Sequence, residues 1–300
     1  MQITLEHTNS SAIAREMVRA RLASGSPAMD VVLTLIVVCD DDTVEAALHS
    51  ATTLAREHPA RVIGVILGKG TGSPDLHAKI RVGSEGSGES ILLRMSGRLI
   101  KHAESAVLPL LLPDSPVVVW WPGSPPSDPA SDPIGALGNR RLTDAEAASQ
   151  PVRNLTRVAK HYTPGDTDLS WTRLTPWRAL LAAALDQVQS PVTGGSISAG
   201  SGNPAGVLLE AWLQSRLKVP ITWHRVDQDQ IMLVTLQTKA GEVRVERASE
   251  NSCTFSVPGS APRTVPLTRR TLAELLAEDL RRLDADQIYG ATVKHMLENR

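Results

Sequence analysis

Apolar positions in the first half of the chain form short continuous runs separated by segments of helical period. Val31 to Val38 (VVLTLIVV) is β-branched and apolar without alternation, the pattern of a strand covered on both faces. After Asp40-Asp41-Asp42, the residues Val44, Ala47, Leu48, Ala51, Leu54 and Ala55 recur at helical spacing, with Arg56 near the last turn and Pro59 as the stop. Arg61 to Leu67 (RVIGVIL) returns as a second buried strand and completes a βαβ-like unit. His77 to Val82 and Ser90 to Met95 predict two more strands joined by a turn at GSEGSG, an antiparallel hairpin that makes the sheet mixed. Leu99, Ile100, Ala103, Ala106, Val107, Leu110 and Leu111 predict a helix that Pro109 kinks or ends. Val117 to Trp121 (VVVWW) is the next strand. It runs into the loop PGSPPSDPASDP, at the strand end where open α/β sheets place ligands.

The character changes after a polar stretch, Asn139 to Asp166, which holds Arg140, Arg141, Arg153 and Arg157 and ends in the turn signal Thr163-Pro164-Gly165-Asp166. A domain boundary is expected there, and Arg140 and Arg141, with the PGSPPSDPASDP loop, read as solvated linker ahead of a second candidate surface. Pro176 sits at the first position of a helix behind Thr175 as N-cap, with Leu180, Leu181, Ala184, Leu185 and Val188 as its apolar stripe. Asn203-Pro204 opens another helix in the same way. Ile221 to Val226, Ile231 to Thr238, Glu242 to Ala248 and Ser252 to Val257 read as an antiparallel meander with one wet face. Two apolar stripes, Leu272 to Leu283 and Tyr289 to Leu297, make the end of the chain helical. The expected fold is therefore α/β in two domains. Residues 1–165 form a mixed sheet with flanking helices in a Rossmann-like three-layer arrangement, and residues 166–300 an α+β domain with the meander and C-terminal helices.

Composition narrows the partners. Lys and Arg number 31 against 32 Asp and Glu, a net charge of −1, which removes the electrostatic footprint that nucleic acid or a polybasic membrane contact needs. The longest apolar runs fall well short of the roughly 20 residues that span a bilayer. The N-terminus shows no basic and then apolar leader, and only two cysteines occur, so a cytoplasmic location is expected. Six of the nine aromatics are Trp, which leaves most of the core to aliphatics.

Candidate chemistry is sparse. The glycine-rich segment 192–206 leads into a helix start, so Gly200, Gly202 and Asn203 either cradle an anion on backbone N–H groups or belong to a plain loop. It has neither the Walker ending nor the spaced dinucleotide fingerprint. Cys39 lies beside three aspartates that would raise its pKa, and Cys253 alternates in register with Phe255 and Val257 toward a core. The Asp40 to Asp42 run reads as helix capping ahead of cation binding. The eight histidines lack metal-site spacing and no G-x-S-x-G elbow occurs, so no catalytic, cofactor or metal residues are expected. The densest constellation is Asp166, Asp168, Trp171, Arg173, Trp177 and Arg178. Trp and Arg at this density suit a protein interface, but residue physics alone favours an anchor within the chain, with Arg173 or Arg178 paired to Asp166 or Asp168.

The strings LLLPDSPVVVWWPG (110–123), DPIGALGNRR (132–141), GDTDLSWTRLTPWRALLAAALD (165–186) and GNPAGVLLEAWL (202–213) resemble the glucose-6-phosphate dehydrogenase assembly protein OpcA family of actinobacteria and cyanobacteria. The resemblance runs over nearly the whole chain. It implies a non-catalytic partner that binds glucose-6-phosphate dehydrogenase, promotes its active oligomer and raises its activity, with no cofactor and no catalytic residues of its own. If that reading is right, Asp166, Asp168, Trp171, Arg173, Trp177 and Arg178 are the expected partner contact. The cyanobacterial branch is associated with thioredoxin-dependent redox control, which the two cysteines here are not expected to support. The alternative is a binding protein or enzyme for a sugar phosphate or nucleotide that uses the loop 194–206.

Overall fold

The computed structural model describes residues 1–24, 31–82 and 89–299. In chain order its elements are β1 (Gln2–Leu5), α1 (Ser10–Ser24), β2 (Leu33–Cys39), α2 (Val44–Leu54), β3 (Ala60–Leu67), β4 (Asp75–Arg81), β5 (Ser90–Ser96), α3 (Ala103–Val107), β6 (Val117–Trp121) and β7 (Arg140–Thr143). They continue with α4 (Pro151–Ala159), β8 (Asp166–Asp168), α5 (Leu169–Arg173), α6 (Thr175–Val188), β9 (Val192–Ala199), α7 (Pro204–Leu217), β10 (Ile221–Arg225), β11 (Ile231–Thr238), β12 (Gly241–Arg247), β13 (Ser252–Ser256), β14 (Arg263–Pro266), α8 (Leu272–Leu280) and α9 (Gln287–Glu298). The fold is α/β with two sheets. Among the described residues no helix is long and apolar enough to cross a membrane.

The chain forms two compact units that share it by turns. The first takes residues 1–144, 163–167 and 272–285, and the second 145–162, 168–271 and 286–300. Where the sequence predicts one division after residue 165, the chain passes between units several times. The reason is local pairing. Asp166 is tied by its carboxylate to Arg141, and Arg140 to Asp279, so short later segments are held in the first unit.

In the first unit the sheet order is β1-β4-β5-β3-β2-β6-β7-β8. β3, β2, β6 and β7 pair in parallel, and β5 joins β3 in parallel, while β4 and β1 add antiparallel at the edge. The βαβ unit β2-α2-β3 and the hairpin of β4 and β5 stand where the apolar runs place them. The GSEGSG turn lies outside the described residues. One sheet face carries Ile36, Ile63, Ile91, Leu93 and Met95 against Ile13, Met17, Ala103, Ala106 and Val107 of α1 and α3. On the other face Gly64 lies against Leu48 of α2 and Leu92, so helices cover both faces and the three-layer reading holds.

Three expectations in this region change. The helix over Leu99–Leu111 is a 3-10 turn, the short α3 and a second 3-10 turn at Leu108–Leu110 that contains Pro109. β1 and α1 carry no pattern strong enough to predict them. The polar stretch from Asn139 is ordered, with β7, α4 and β8 inside it, and Arg140 and Arg141 are 2% and 7% exposed rather than solvated. They are neighbours on a strand and point to opposite faces, and each guanidinium finds its own aspartate. Arg140 also donates to Asp284 O and Thr167 Oγ1 at 2.7 and 2.8 Å, and Arg141 to Gly138 O and Pro164 O at 2.8 and 2.9 Å.

In the second unit the sheet order is β10-β9-β11-β12-β13-β14. β11 to β14 form the antiparallel meander, but β10 pairs in parallel with β9 through the crossover helix α7 and is no part of it. The glycine-rich segment is the reason the pattern misleads. Val192–Ala199 is a central strand, with Ile197 and Ala199 buried, and a Cβ at Gly195 would stand 2.6 Å from Thr235 O. Glycine is there because a neighbouring strand comes that close. α7 is buried along Pro204–Leu209 and at Ala211 and Leu213, in one core with Trp171, Trp177, Val234, Val245, Cys253 and Val293.

Candidate functional site

The second unit is built around the Trp-rich cluster. Asp168 caps α5 through Oδ1, which accepts from Ser170 N at 2.9 Å, while Oδ2 accepts from Ala145 N at 2.9 Å. One buried carboxylate thereby fixes the start of the helix that presents Trp171. The Trp171 ring is 2% exposed, and its Nε1 donates to Asp286 Oδ2 at 2.8 Å. Asp286 is itself the N-cap of α9, with Oδ1 accepting from Ile288 N and Tyr289 N at 2.9 Å. The Arg178 guanidinium lies 3.7 Å above the Trp171 centroid, a cation–π contact, and the Tyr289 ring stands 5.7 Å from it. Arg178 Nη2 also donates to Thr175 Oγ1 at 3.2 Å. Trp177 is 3% exposed, with the Arg247 guanidinium 5.8 Å from its ring centroid.

Asp166 and Arg173 each have a partner beyond the expected pairs. Arg173 pairs with Glu146. Its Nε lies 2.8 Å from Glu146 Oε2, and Glu146 Oε1 accepts from the exposed Arg269 at 2.9 Å. Asp166 belongs to the first unit, where it holds Arg141 and accepts from Thr163 N at 2.8 Å. Burial pushes its carboxyl above the usual carboxylate range, against the pull of the Thr163 N–H and the Arg141 guanidinium. The cluster read as one constellation is thus two. One is the Asp166–Arg141 pair, and the other runs from Asp168 to Arg178 around Trp171. Of the second, Arg173 and Arg178 are both half-buried, Arg173 beside Glu146 and the exposed Arg269, and Glu146 and Arg269 have no signal in the sequence that ties them to it. Thr175 also lies inside α6 and is not its cap.

Gly200, Gly202 and Asn203 stand before α7 as expected of a helix start. Asn203 Oδ1 already accepts from Gly206 N at 2.5 Å, and its Nδ2 donates to Asp229 O at 2.6 Å. A Cβ at Gly200 would meet Gln228 O at 2.6 Å, so this glycine serves a close turn. Cys253 is fully buried, as its register predicts. Cys39 is half-buried, and burial, with Asp40 and Asp41 adding to it and Arg94 opposing, pushes its thiol up to about 11. Asp40 closes the turn before α2, accepting from Thr43 N and Thr43 Oγ1 at 2.9 and 2.6 Å. The loop 122–133 is pinned too, since Asp132 Oδ1 accepts from Ile134 N and Gly135 N at 3.0 and 2.9 Å.

Comparison with known proteins finds two family models. One is described as the N-terminal domain of a glucose-6-phosphate dehydrogenase subunit and matches residues 51–160. The other is described as the C-terminal domain of the same and matches 164–293. The curated relatives include a putative OxPP cycle protein OpcA of Synechocystis sp., 28% identical over 145 residues that cover 45% of this chain and 30% of that one. The protein of the same description in Synechococcus elongatus is 31% identical over 139 residues, 43% of this chain and 31% of the relative. The match therefore spans under a third of the length of these two relatives. Among solved structures, an oxidoreductase domain protein from Kribbella flavida superposes with a TM-score of 0.47 at 9% identity, covering 89% of this chain and 94% of that one.

Proposed function

Because this chain belongs to the OpcA family of glucose-6-phosphate dehydrogenase subunit proteins, we propose that it is a non-catalytic partner of glucose-6-phosphate dehydrogenase that promotes the enzyme's active, oligomeric form. The observation that carries this reading is that both parts of the chain, 51–160 and 164–293, match domains described as those of a subunit of that enzyme. The conspicuous polar groups support it. Asp166, Asp168, Arg140, Arg141 and Asp286 are spent on capping, strand pairing and ion pairs within the fold. Activation by such a partner needs only differential binding: it holds the competent form more tightly than the other and shifts the population by that difference.

We place the contact on the solvent-facing edge of the Trp171 cluster. Glu146, Arg173 and Arg269 form an ion-pair network there, with Arg269 largely exposed. Arginine is favoured at interface centres, and the Arg269–Glu146 pair, with Arg269 in solvent, adds little to the fold, so Arg269 can exchange partners on binding. Arg173 shares the short helix α5 with the buried Trp171. The anion-cradle alternative has less behind it, because the Asn203 side chain already takes the Gly206 N–H. The test is association with the purified dehydrogenase on a sizing column. Arg173→Glu with Arg269→Glu is expected to weaken the complex at least tenfold, about 1.4 kcal/mol, with an unchanged circular dichroism spectrum. Undiminished association would remove this edge from the interface.

A further inference from the structure

Strand pairing in the first unit assembles a cluster that sequence spacing does not show. β1 runs antiparallel to β4 with Leu5 opposite Ala78, and just beyond it Thr8 N donates to Leu76 O at 2.9 Å. His7 sits in that turn with a left-handed backbone, φ 47°. It is thereby set beside Asp75 and His77, which share one face of β4 by their i, i+2 spacing. His7 Nδ1 lies 2.9 Å from Asp75 Oδ1, and His77 Nε2 lies 2.8 Å from Asp75 Oδ2. The two rings meet edge to face with centroids 4.9 Å apart. One ligand atom from each residue lies within 4.8 Å of the other two.

We propose that His7, Asp75 and His77 bind a divalent transition-metal ion of the zinc type. Two imidazole nitrogens and one carboxylate oxygen suit that class and not calcium or magnesium, which take oxygen ligands. Donors about 2.0–2.2 Å from a tetrahedral ion stand about 3.3–3.6 Å from each other. The observed N···O separations and the 4.8 Å limit bracket that spacing, so small side-chain rotations admit the ion between the carboxylate and the rings. His7 is 76% exposed and His77 37% along the side chain, which gives them room to rotate and leaves a coordination position for water. The remaining sheet face beside them is cationic, with Lys79, Arg81 and Arg94, so the ion's charge is met chiefly by Asp75. A bound ion would staple the chain after β1 to β4 across sixty-eight residues of sequence. This inference is independent of the partner proposed above.

The full chain, stripped of metal by a chelator, is titrated with Zn²⁺ by calorimetry and with Co²⁺ by visible ligand-field absorption. One equivalent is expected to bind. His7→Ala and His77→Ala should each lower the affinity about tenfold or more, while His102→Ala, another exposed histidine, should leave it unchanged. In the unsubstituted chain Zn²⁺ is expected to protect His7 and His77, and not His102, from carbethoxylation read by mass spectrometry, a readout that does not depend on a variant's folding. Absence of saturable binding, binding unaltered in the double variant, or equal modification of all three histidines with and without Zn²⁺ would overturn the assignment.

Discussion

Asp286 is where the second unit is most economically perturbed. Its carboxylate does two jobs: Oδ1 caps α9 by accepting from Ile288 N and Tyr289 N, and Oδ2 accepts from the buried Trp171 Nε1. Asp286→Ala removes both. Loss of an N-cap costs about 1 kcal/mol. Leaving the indole N–H of a residue 2% exposed without an acceptor costs about 1–3 kcal/mol more. The expected loss is thus about 2–4 kcal/mol. Asp286→Asn separates the two effects, because asparagine caps as well as aspartate, but its Nδ2 hydrogens would then face the indole N–H. It should lose only the second part. The assay is urea unfolding followed by Trp fluorescence, since Trp171, Trp177, Trp212 and Trp223 all lie in the second unit, with the slope m checked for constancy. Trp171→Phe in the Asp286→Ala background should add less than in the wild type, as residues sharing a bond do. A loss below about 0.5 kcal/mol for Asp286→Ala, the range of an ordinary surface change, would refute this reasoning.

Three further outcomes are expected. Glu89 is 7% exposed and lies between Arg21 and the buried Arg61, whose guanidinium also donates to Leu110 O at 2.7 Å, so Glu89→Gln leaves a buried cation uncompensated and should destabilise the first unit by about 3 kcal/mol in urea titration by circular dichroism. A loss under about 1 kcal/mol would show the pair to be dispensable. Gly195→Ala places a methyl group 2.6 Å from Thr235 O in the middle of β9 and should cost about 1–3 kcal/mol by the same titration; a neutral result would mean that β9 and β11 do not approach as described. Cys39, with its thiol pushed up to about 11, is expected to react with iodoacetamide at pH 8 about a hundredfold more slowly than an unperturbed thiol, and faster as pH rises. Alkylation at the rate of a free cysteine, followed by mass spectrometry, would contradict that and reopen redox control at this position.

What the sequence makes legible follows from how strongly each element is patterned. β2, α2, β3 and the β4–β5 hairpin are read correctly because buried strands and an amphipathic helix leave unmistakable runs. β9 is missed because its residues obey a different constraint: Gly195 is small where the neighbouring strand crowds it, and the run of glycine and serine around it signals a loop. That miss also places β10 in the wrong ladder. Arg140 and Arg141 look like a solvated linker because their aspartate partners, Asp279 and Asp166, are remote in sequence. The Trp-rich stretch is found at once, but its internal wiring through Asp286, Glu146 and Arg247 comes from segments that carry no local signal. His7 joins Asp75 and His77 only through the pairing of β1 with β4, and β1 is too short and weakly patterned to be predicted.

The claim that this chain activates glucose-6-phosphate dehydrogenase is tested most directly by that enzyme's rate against glucose 6-phosphate concentration, with and without the purified protein, while light scattering reports the mass of the mixture. A higher kcat or lower KM together with a heavier species is the predicted result, since both follow from holding the competent oligomer. Unchanged kinetics with no species heavier than the separate proteins would contradict it.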